Sequence, residues 1–441
     1  MEKLVRERSI FGRAKLSSQH WATHLAPIHR LNAHQGCVNT LDYSPDASLL
    51  LSGSDDQTLV VWDAQAEYSP KLSLLTPHRA NIFCAKFLPT DPSTFVSCDA
   101  RGRIHVSYSS RATPVSAANP HFARNSYFSR FDSLDMAFEL CARDDSPCFY
   151  SCSNDGTIRF YDLRETSSCS CQHEASCDRH ILVKKPFKTG IASIDLRIFP
   201  LHLTKLPDSD GQKLLVGATN GTAEIYDLRS SSCVSEFTPS DLPGRRKITS
   251  VRWSRSTSAR TSPDAYLVSY AGNGVYAVHP HDTYTCLGHA NRDTMIKQAA
   301  WVHVSGDPYI LSGSDDGCIF VYTARGVLTA VLKNADVSVV NCVIARGDGV
   351  EFASSGIGWD IKIWGMKGQR NDGMDGVEEI IARNTRARDD DDEEEGYSTY
   401  LTPAVIWRLL TMAGHDDYSE YEEDDYDEHG EPDQDDEDSD F

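Results

Sequence analysis

Seven times along this chain the same pattern of apolar and polar positions returns. Each copy opens on an apolar pair, runs through small residues into a polar turn, and comes back as alternating apolar positions. The copies read LLSGSDDQTLVVWD (50–63), FVSCDARGRIHVSY (95–108), FYSCSNDGTIRFYD (149–162), LLVGATNGTAEIYD (214–227), LVSYAGNGVYAVH (267–279), ILSGSDDGCIFVYT (310–323) and FASSGIGWDIKIWG (352–365). Alternation on both sides of a Gly-containing or polar turn predicts two half-buried strands in a hairpin. Taking the position of Trp62 and Trp364 as the reference, the equivalents are 107, 161, 226, 278 and 322, so the gaps are 45, 54, 65, 52, 44 and 42 residues. A period of about 40–45 with loop insertions is that of a four-stranded propeller blade. A single blade cannot bury both faces, so seven of them must stack and close on themselves. The chain is therefore read as all-β, a seven-bladed β-propeller over residues 28–366, with 28–31 placed to supply the closing strand.

Within the first copy, Asp56 in the turn, Trp62 on the following strand, Ser52 and the upstream His34 are the types that build a buried hydrogen-bond network, which fixes a blade only when every member is satisfied. The turn Asp is present in copies 1, 3 and 6, as Asp56, Asp155 and Asp316. Arg101, Asn220, Gly272 and Gly358 stand there in the others, and those four blades are expected to rely on apolar packing.

Length alone, 441 residues, would suggest two or three domains, and the repeats override it. The formal charge of −21 belongs to one end. Residues 389–441 hold 23 acids and one base, Arg408, for −22, and the remainder holds 41 acids and 42 bases, for +1. Thirteen cysteines lie scattered without paired spacing. Residues 1–16 are broken by seven charges, and no apolar run reaches 18 residues. These features lead to an expectation of a reduced, intracellular setting, nucleus or cytoplasm, with no membrane contact; the sequon at Asn220 would then carry no glycan.

Outside the ring, 1–27 is a basic, amphipathic segment in which Leu4 and Phe11 sit near helical spacing, as in a short helix that docks on a partner. A frayed basic terminus is the other reading. Residues 366–388 are polar and expected to be partly irregular. An acidic run, 389–395, leads to a short helix at 402–414, with Thr402 as N-cap, Pro403 in its first turn and Gly414 as its stop. The like-charged remainder of the 367–441 tail cannot fold.

Chemistry is absent from the pattern. There is no phosphate-binding loop, no GxSxG and no HExxH; HEASC, opening at His173, lacks the second His. Cys169, Cys171, His173, Cys177 and His180 are zinc-ligand types in one loop, but their spacing matches no standard site. No catalytic residue, metal or cofactor is expected.

Two copies end alike. Copies 3 and 4 both close in YDLR, at Arg164 and Arg229, two residues after Asp162 and Asp227. A planar guanidinium at a blade corner can bind a partner's carboxylate or carbonyl. One such corner would be read as a solvated turn; two on adjacent blades point to a partner surface. Copy 1 has Gln65 there and lacks the feature. The paired motifs resemble the DWD box of WD-repeat substrate receptors for cullin-4 RING ubiquitin ligases. The likeness extends through GCVNTLDYSPDASLLLSGSDDQTLVVWD, HRANIFCAKFLP, YDLRE, TMIKQAAW with ILSGSDDG, and VVNCV with SSGIGWDIKIW. It covers almost all of 1–413, and a branch with TPxVI after the ring looks nearest, since TPAVIWRLL follows here. The resemblance implies that Asp162, Arg164, Asp227 and Arg229, with Leu4 and Phe11 on an N-terminal helix, meet the damaged-DNA-binding adaptor of the ligase. The opposite face would recruit a protein substrate. Tyr161 and Tyr226 depart from the Trp of the box, Asn220 from its turn Asp, and Gly358 implies a looser seventh blade. The alternative from another class is a scaffold or chaperone that holds basic proteins on its acidic tail.

Overall fold

The seven repeats are the second and third strands of seven antiparallel sheets arranged as a closed ring. The computed structural model describes residues 18–109, 136–164, 180–185, 189–197, 212–242, 244, 246–255, 264–292, 297–347, 349–367, 374 and 376–394. Six sheets have four strands, and the second shows three among the described residues. Blade 1 comprises Val38–Tyr43, Leu49–Ser54, Thr58–Asp63 and Ser69–Leu75, called a to d from the axis outward. The reference position has one register throughout: Leu50 faces Trp62, Phe95 faces Ser107, Phe149 faces Tyr161, Leu214 faces Tyr226, Tyr266 faces Val278, Ile310 faces Tyr322 and Phe352 faces Trp364. In an antiparallel meander successive turns alternate ends. The a–b and c–d turns therefore share one rim, called lower here, and the b–c turns and the connections between blades share the upper rim.

Neighbouring blades are joined where inner strands converge. Thr40 Oγ1 and Asp42 Oδ2 accept the amides of Ala85 (3.1 Å) and Phe87 (2.9 Å). Glu139 accepts from Ile194 (3.2 Å), and Ser193 and Asp195 from Val251 (3.0 Å) and Trp253 (2.7 Å). Ser250 accepts from Ala299 (3.3 Å). Cysteine sulfurs take the same role: Cys84 for Leu140 (3.4 Å), Cys141 for Leu196 (3.1 Å) and Cys342 for Leu41. Cys342 also donates to Gln298 Oε1 (3.1 Å). The scattered cysteines of the sequence are thus partly structural. Burial holds the Cys84 thiol up at about 11 and that of Cys342 at about 12, so they remain protonated.

The ring closes through Leu25–Asn32, three residues longer at its start than the expected 28–31, which pairs antiparallel with Asp360–Met366 as strand d of blade 7. The short helix α1 (Ser18–Thr23) precedes it. Its Trp21 is fully buried against Tyr309, Phe352 and Trp364, and its indole N–H donates to Val350 O (3.0 Å). The described N-terminal helix is this anchor. The amphipathic segment with Leu4 and Phe11 lies outside the described residues, as do the helix at 402–414 and all of 395–441.

Blade 1 forms the expected network: His34 bonds Asp56 (3.1 Å) and Ser52 (2.8 Å), and Trp62 Nε1 donates to Ser52 Oγ (2.9 Å). The expectation that four blades rely on apolar packing is corrected for blades 2, 4 and 7. In blade 2 the carboxylate has moved two residues upstream, where Asp99 bonds His78 (3.0 Å) while His78 also bonds Ser97 (2.8 Å). Asn220 keeps the turn of blade 4 by accepting the Thr222 amide (3.1 Å), as Asp155 does for Thr157 (2.9 Å). Blade 7 inverts the polarity: Asp336, in the place of His34, accepts the amide of Gly358 (3.1 Å). A Cβ at Gly358 would lie 2.8 Å from that carboxylate, so glycine tightens blade 7 instead of loosening it.

The polar stretch after the ring is also corrected. Val377–Glu394 is an 18-residue helix, α2, that takes in about half of the segment expected to be partly irregular and all but the last residue of the acidic run. Glu378 and Glu379 suit the positive end of the helix dipole. Val377, Ile380 and Ile381 pack on the core shared by blades 5 and 6. Asn384 Nδ2 donates to Gly288 O (2.9 Å) and Asp316 Oδ2 (2.8 Å). Asn384 thus replaces the histidine of blade 1 at the turn Asp, and His289, freed from that task, bonds Tyr322 OH (3.0 Å).

Asn384→Ala removes two partly buried hydrogen bonds and leaves Asp316 short of a donor, a loss of about 1–2 kcal/mol. A urea midpoint equal to wild type would show that α2 contributes nothing to the ring. A second expectation concerns Asp55, which burial raises from 3.8 to about 6 although Asn39 donates to it. A carboxyl raised on folding stabilises fully below about 4, and that contribution is lost as pH rises through about 6. Asp55→Asn should therefore be more stable than wild type at pH 7 but not at pH 4, read from denaturation midpoints across that range.

Candidate partner-binding rim

Both YDLR corners are built by the same local chemistry. The strand c of blade 3, Thr157–Asp162, and that of blade 4, Ala223–Asp227, each end on an aspartate whose side chain caps the turn. Asp162 Oδ1 accepts the Arg164 amide (2.9 Å), and Asp227 Oδ1 accepts the Arg229 amide (2.9 Å). The same carboxylates then grip the guanidinium. Arg164 donates from Nε to Oδ1 (2.9 Å) and from Nη2 to Oδ2 (2.5 Å); Arg229 does so at 3.2 and 2.9 Å. The arginines are 66% and 56% exposed, whereas their aspartates are 14% and 17% exposed. Each motif is therefore a fork fixed at its root and open at its tip. In blade 1 the Gln65 amide bonds Asp63 Oδ1 (3.0 Å), so the turn persists without the fork.

The charge states follow from these contacts. Hydrogen bonds from Arg164 hold the Asp162 carboxyl at about 2, and Arg229 lowers Asp227 likewise. Asp162 in turn pushes the Arg164 guanidinium up, and a guanidinium is not deprotonated in proteins, so both forks stay ionised.

The two corners are also tied together, which the sequence did not reveal. Arg143, between strands a and b of blade 3, forks onto Asp145 (2.9 and 2.8 Å) and reaches across to Gln212 Oε1. Gln212 O accepts the Leu228 amide (3.0 Å), next to Arg229, as Pro147 O accepts that of Leu163 (3.0 Å), next to Arg164. The ARDDS turn bears no signal for this role, because its partner lies 69 residues away.

The Tyr substitutions are absorbed differently. Tyr161 stacks on Phe149 (4.8 Å between centroids) and reaches Ser151 at 3.4 Å, while Tyr226 donates to Glu224 (2.7 Å) and accepts from Lys185 (2.9 Å). Of the zinc-type residues only His180 is described, its Nδ1 beside Phe160 O at 3.2 Å; Cys169, Cys171, His173 and Cys177 lie outside the described residues. Leu4 and Phe11 lie outside them too. Trp21 bonds Val350, in the a–b turn of blade 7, so the described chain begins on the lower rim, the rim of Arg164 and Arg229.

A ring of seven blades with these turns is a WD-repeat β-propeller, and the model of the WD domain, G-beta repeat, matches residues 25–63 and 138–162. Those residues are the closing strand with most of blade 1, and most of blade 3. Similar proteins include WD repeat protein iqw1 of Schizosaccharomyces pombe, 27% identical over 293 residues, which are 62% of this chain and 34% of that one. Protein ALTERED SEED GERMINATION 2 of Arabidopsis thaliana is 30% identical over 288 residues, 60% of this chain and 37% of the other. Human DDB1- and CUL4-associated factor 6 is 29% identical over 274 residues, 57% and 28% respectively. The chain thus matches only about a third of the length of these relatives.

In an Arg164→Ala variant the Asp162 carboxyl should return from about 2 toward its ordinary 3.8. A lowered carboxyl stabilises above its unfolded value and loses that contribution as pH falls toward about 2, but a pair this exposed is screened by solvent and salt. The melting temperature at pH 7 should consequently stay at the wild-type value. Carboxyl NMR titration checks the first point; an unmoved Asp162 would mean that the fork does not form in solution.

Proposed function

We propose that this chain is the substrate-recognition subunit of a cullin-4 RING ubiquitin ligase. In this reading the propeller docks on the ligase's damaged-DNA-binding adaptor through the lower rim and holds a target protein on the other side. The observation that carries it is the pair of Asp–Arg forks on adjacent blades, rooted and open-tipped, in a chain similar to DDB1- and CUL4-associated factor 6. A fork whose geometry is already set loses little side-chain freedom on binding, and arginine is among the residues that dominate protein interfaces. The ligase would supply the transfer chemistry, and this chain the placement. Residues 1–17 would add to the same contact, since the described chain begins on that rim. The setting would be nucleus or cytoplasm, where such ligases operate.

Arg164→Ala and Arg229→Ala should each weaken recovery of the adaptor, and the double variant should weaken binding about tenfold or more. Removing residues 1–16 should lower adaptor affinity while leaving the melting temperature unchanged, because Trp21 and the closing strand remain. Full adaptor binding by the double variant, measured by co-purification and by titration with purified adaptor, would overturn the reading.

A further inference from the structure

On the upper rim, blade 7 presents three large apolar side chains to solvent: Val337 is 82% exposed, Trp359 60% and Ile357 36%. Ile357 and Trp359 flank Gly358 in the turn between strands Phe352–Gly356 and Asp360–Met366, and Val337 lies in the connection from blade 6. Backbone bonds lock the two segments together. The Ile357 amide donates to Val339 O (3.1 Å), and the Gly358 amide donates to the Asp336 carboxylate (3.1 Å). A Cβ on Gly356 would lie 1.8 Å from Val339 O, so this close approach requires glycine. The patch is therefore rigid. Nothing in the fold calls for an exposed Trp at a turn tip, and the equivalent residue in blade 1 is Gln57. An exposed, pre-positioned Trp beside two aliphatic groups is the composition of an interface centre.

The charges around the patch fix the kind of partner. Asp336 is turned inward onto the amides of Ser338 (3.0 Å) and Gly358, and Asp360 onto Arg30 Nε (2.7 Å) and Lys362 Nζ (2.9 Å). Facing outward is Arg30, 64% exposed with only its Nε engaged by Asp360. The charge that faces outward beside the patch is thus a cation, and the centre is apolar.

We propose that Val337, Ile357 and Trp359 form the docking site for the recruited protein, which binds through an acidic segment carrying an aromatic or long aliphatic anchor. The identification of the occupant as the target rests on the receptor reading above. The site lies on the rim opposite Arg164 and Arg229, so that adaptor and target can be held at once.

The test is selection of a random peptide display library on the full-length protein, followed by titration of the recovered peptides. Peptides rich in Asp and Glu around an apolar anchor are expected. Trp359→Ala and Val337→Asp, with melting temperatures equal to wild type, should weaken them at least tenfold, and Arg30→Gln should weaken them and reduce their salt dependence. Peptides that bind both patch variants as well as wild type, or that are basic, overturn the proposal. So does wild-type self-association in sedimentation that Trp359→Ala abolishes, since the occupant would then be a second copy. Adaptor binding is measured in parallel: Trp359→Ala should retain it, and its loss would place the patch in the adaptor contact. A wild-type protein that never binds adaptor refutes the receptor reading alone, and the peptide titrations still decide the patch.

Discussion

Six of the seven inner strands carry a side chain that accepts a backbone amide from the inner strand of a neighbouring blade, and between blades 6 and 7 the Gln298 amide donates to Asn341 O. Inner strands converge on the axis, where they cannot pair as a sheet, and their outward amides would otherwise be buried without acceptors, at a cost of about 1–3 kcal/mol each. Thr40, Asp42, Glu139, Ser193, Asp195 and Ser250 meet this need with oxygen, and Cys84, Cys141 and Cys342 with sulfur. The carboxylates among them are in turn balanced, Asp42 by Lys86 (3.0 Å), Glu139 by Arg252 (2.5 Å) and Asp195 by Arg255 (3.3 Å). Closure by Leu25–Asn32 and Trp21 then leaves no open junction. Everything displayed at the rims inherits its position from this inner belt.

On the upper rim the same structural need is met by different residues in different blades. A turn beside the preceding connection must be fastened, and blade 1 does so with His34 and Asp56, blade 2 with His78 and Asp99, and blade 7 with Asp336 and a glycine amide. Blade 6 uses a residue from beyond the ring, Asn384 of α2. Gly288 has a φ of 102°, and a Cβ there would lie 3.0 Å from Ile381, so the backbone clears a seat for that helix. The helix after the propeller is therefore part of the sixth blade's own hydrogen bonding.

The two rims consequently have different chemistry. The lower rim of blades 3 and 4 is polar, with charge-assisted forks that are strongest when a partner excludes water from them. The upper rim of blade 7 exposes Val337, Ile357 and Trp359, with Arg30 facing outward from the same blade. Because the ring separates the two, a contact at one end has no steric claim on the other.

Repeat number, strand register and the position of the forks were legible in the amino-acid order, because each depends on local alternation and on a turn of four or five residues. Asp162 with Arg164 and Asp227 with Arg229 are neighbours in sequence, so spacing alone could pair them. The substitutes for the turn aspartate were not legible: Asp99 sits two residues off the motif, and Asp336 is 22 residues from the amide it accepts. The link from Arg143 to Gln212 spans 69 residues, and that from Asn384 to Asp316 spans 68. Val377–Glu394 looked irregular because it is mostly polar, and only the apolar seat of Val377, Ile380 and Ile381 on blades 5 and 6 makes it a stable helix. Local pattern, whose energetics are carried by near neighbours, set the blades. Contacts between residues far apart in sequence, which exist only once the ring has closed, decided how each blade is fastened and which side chains its rims expose.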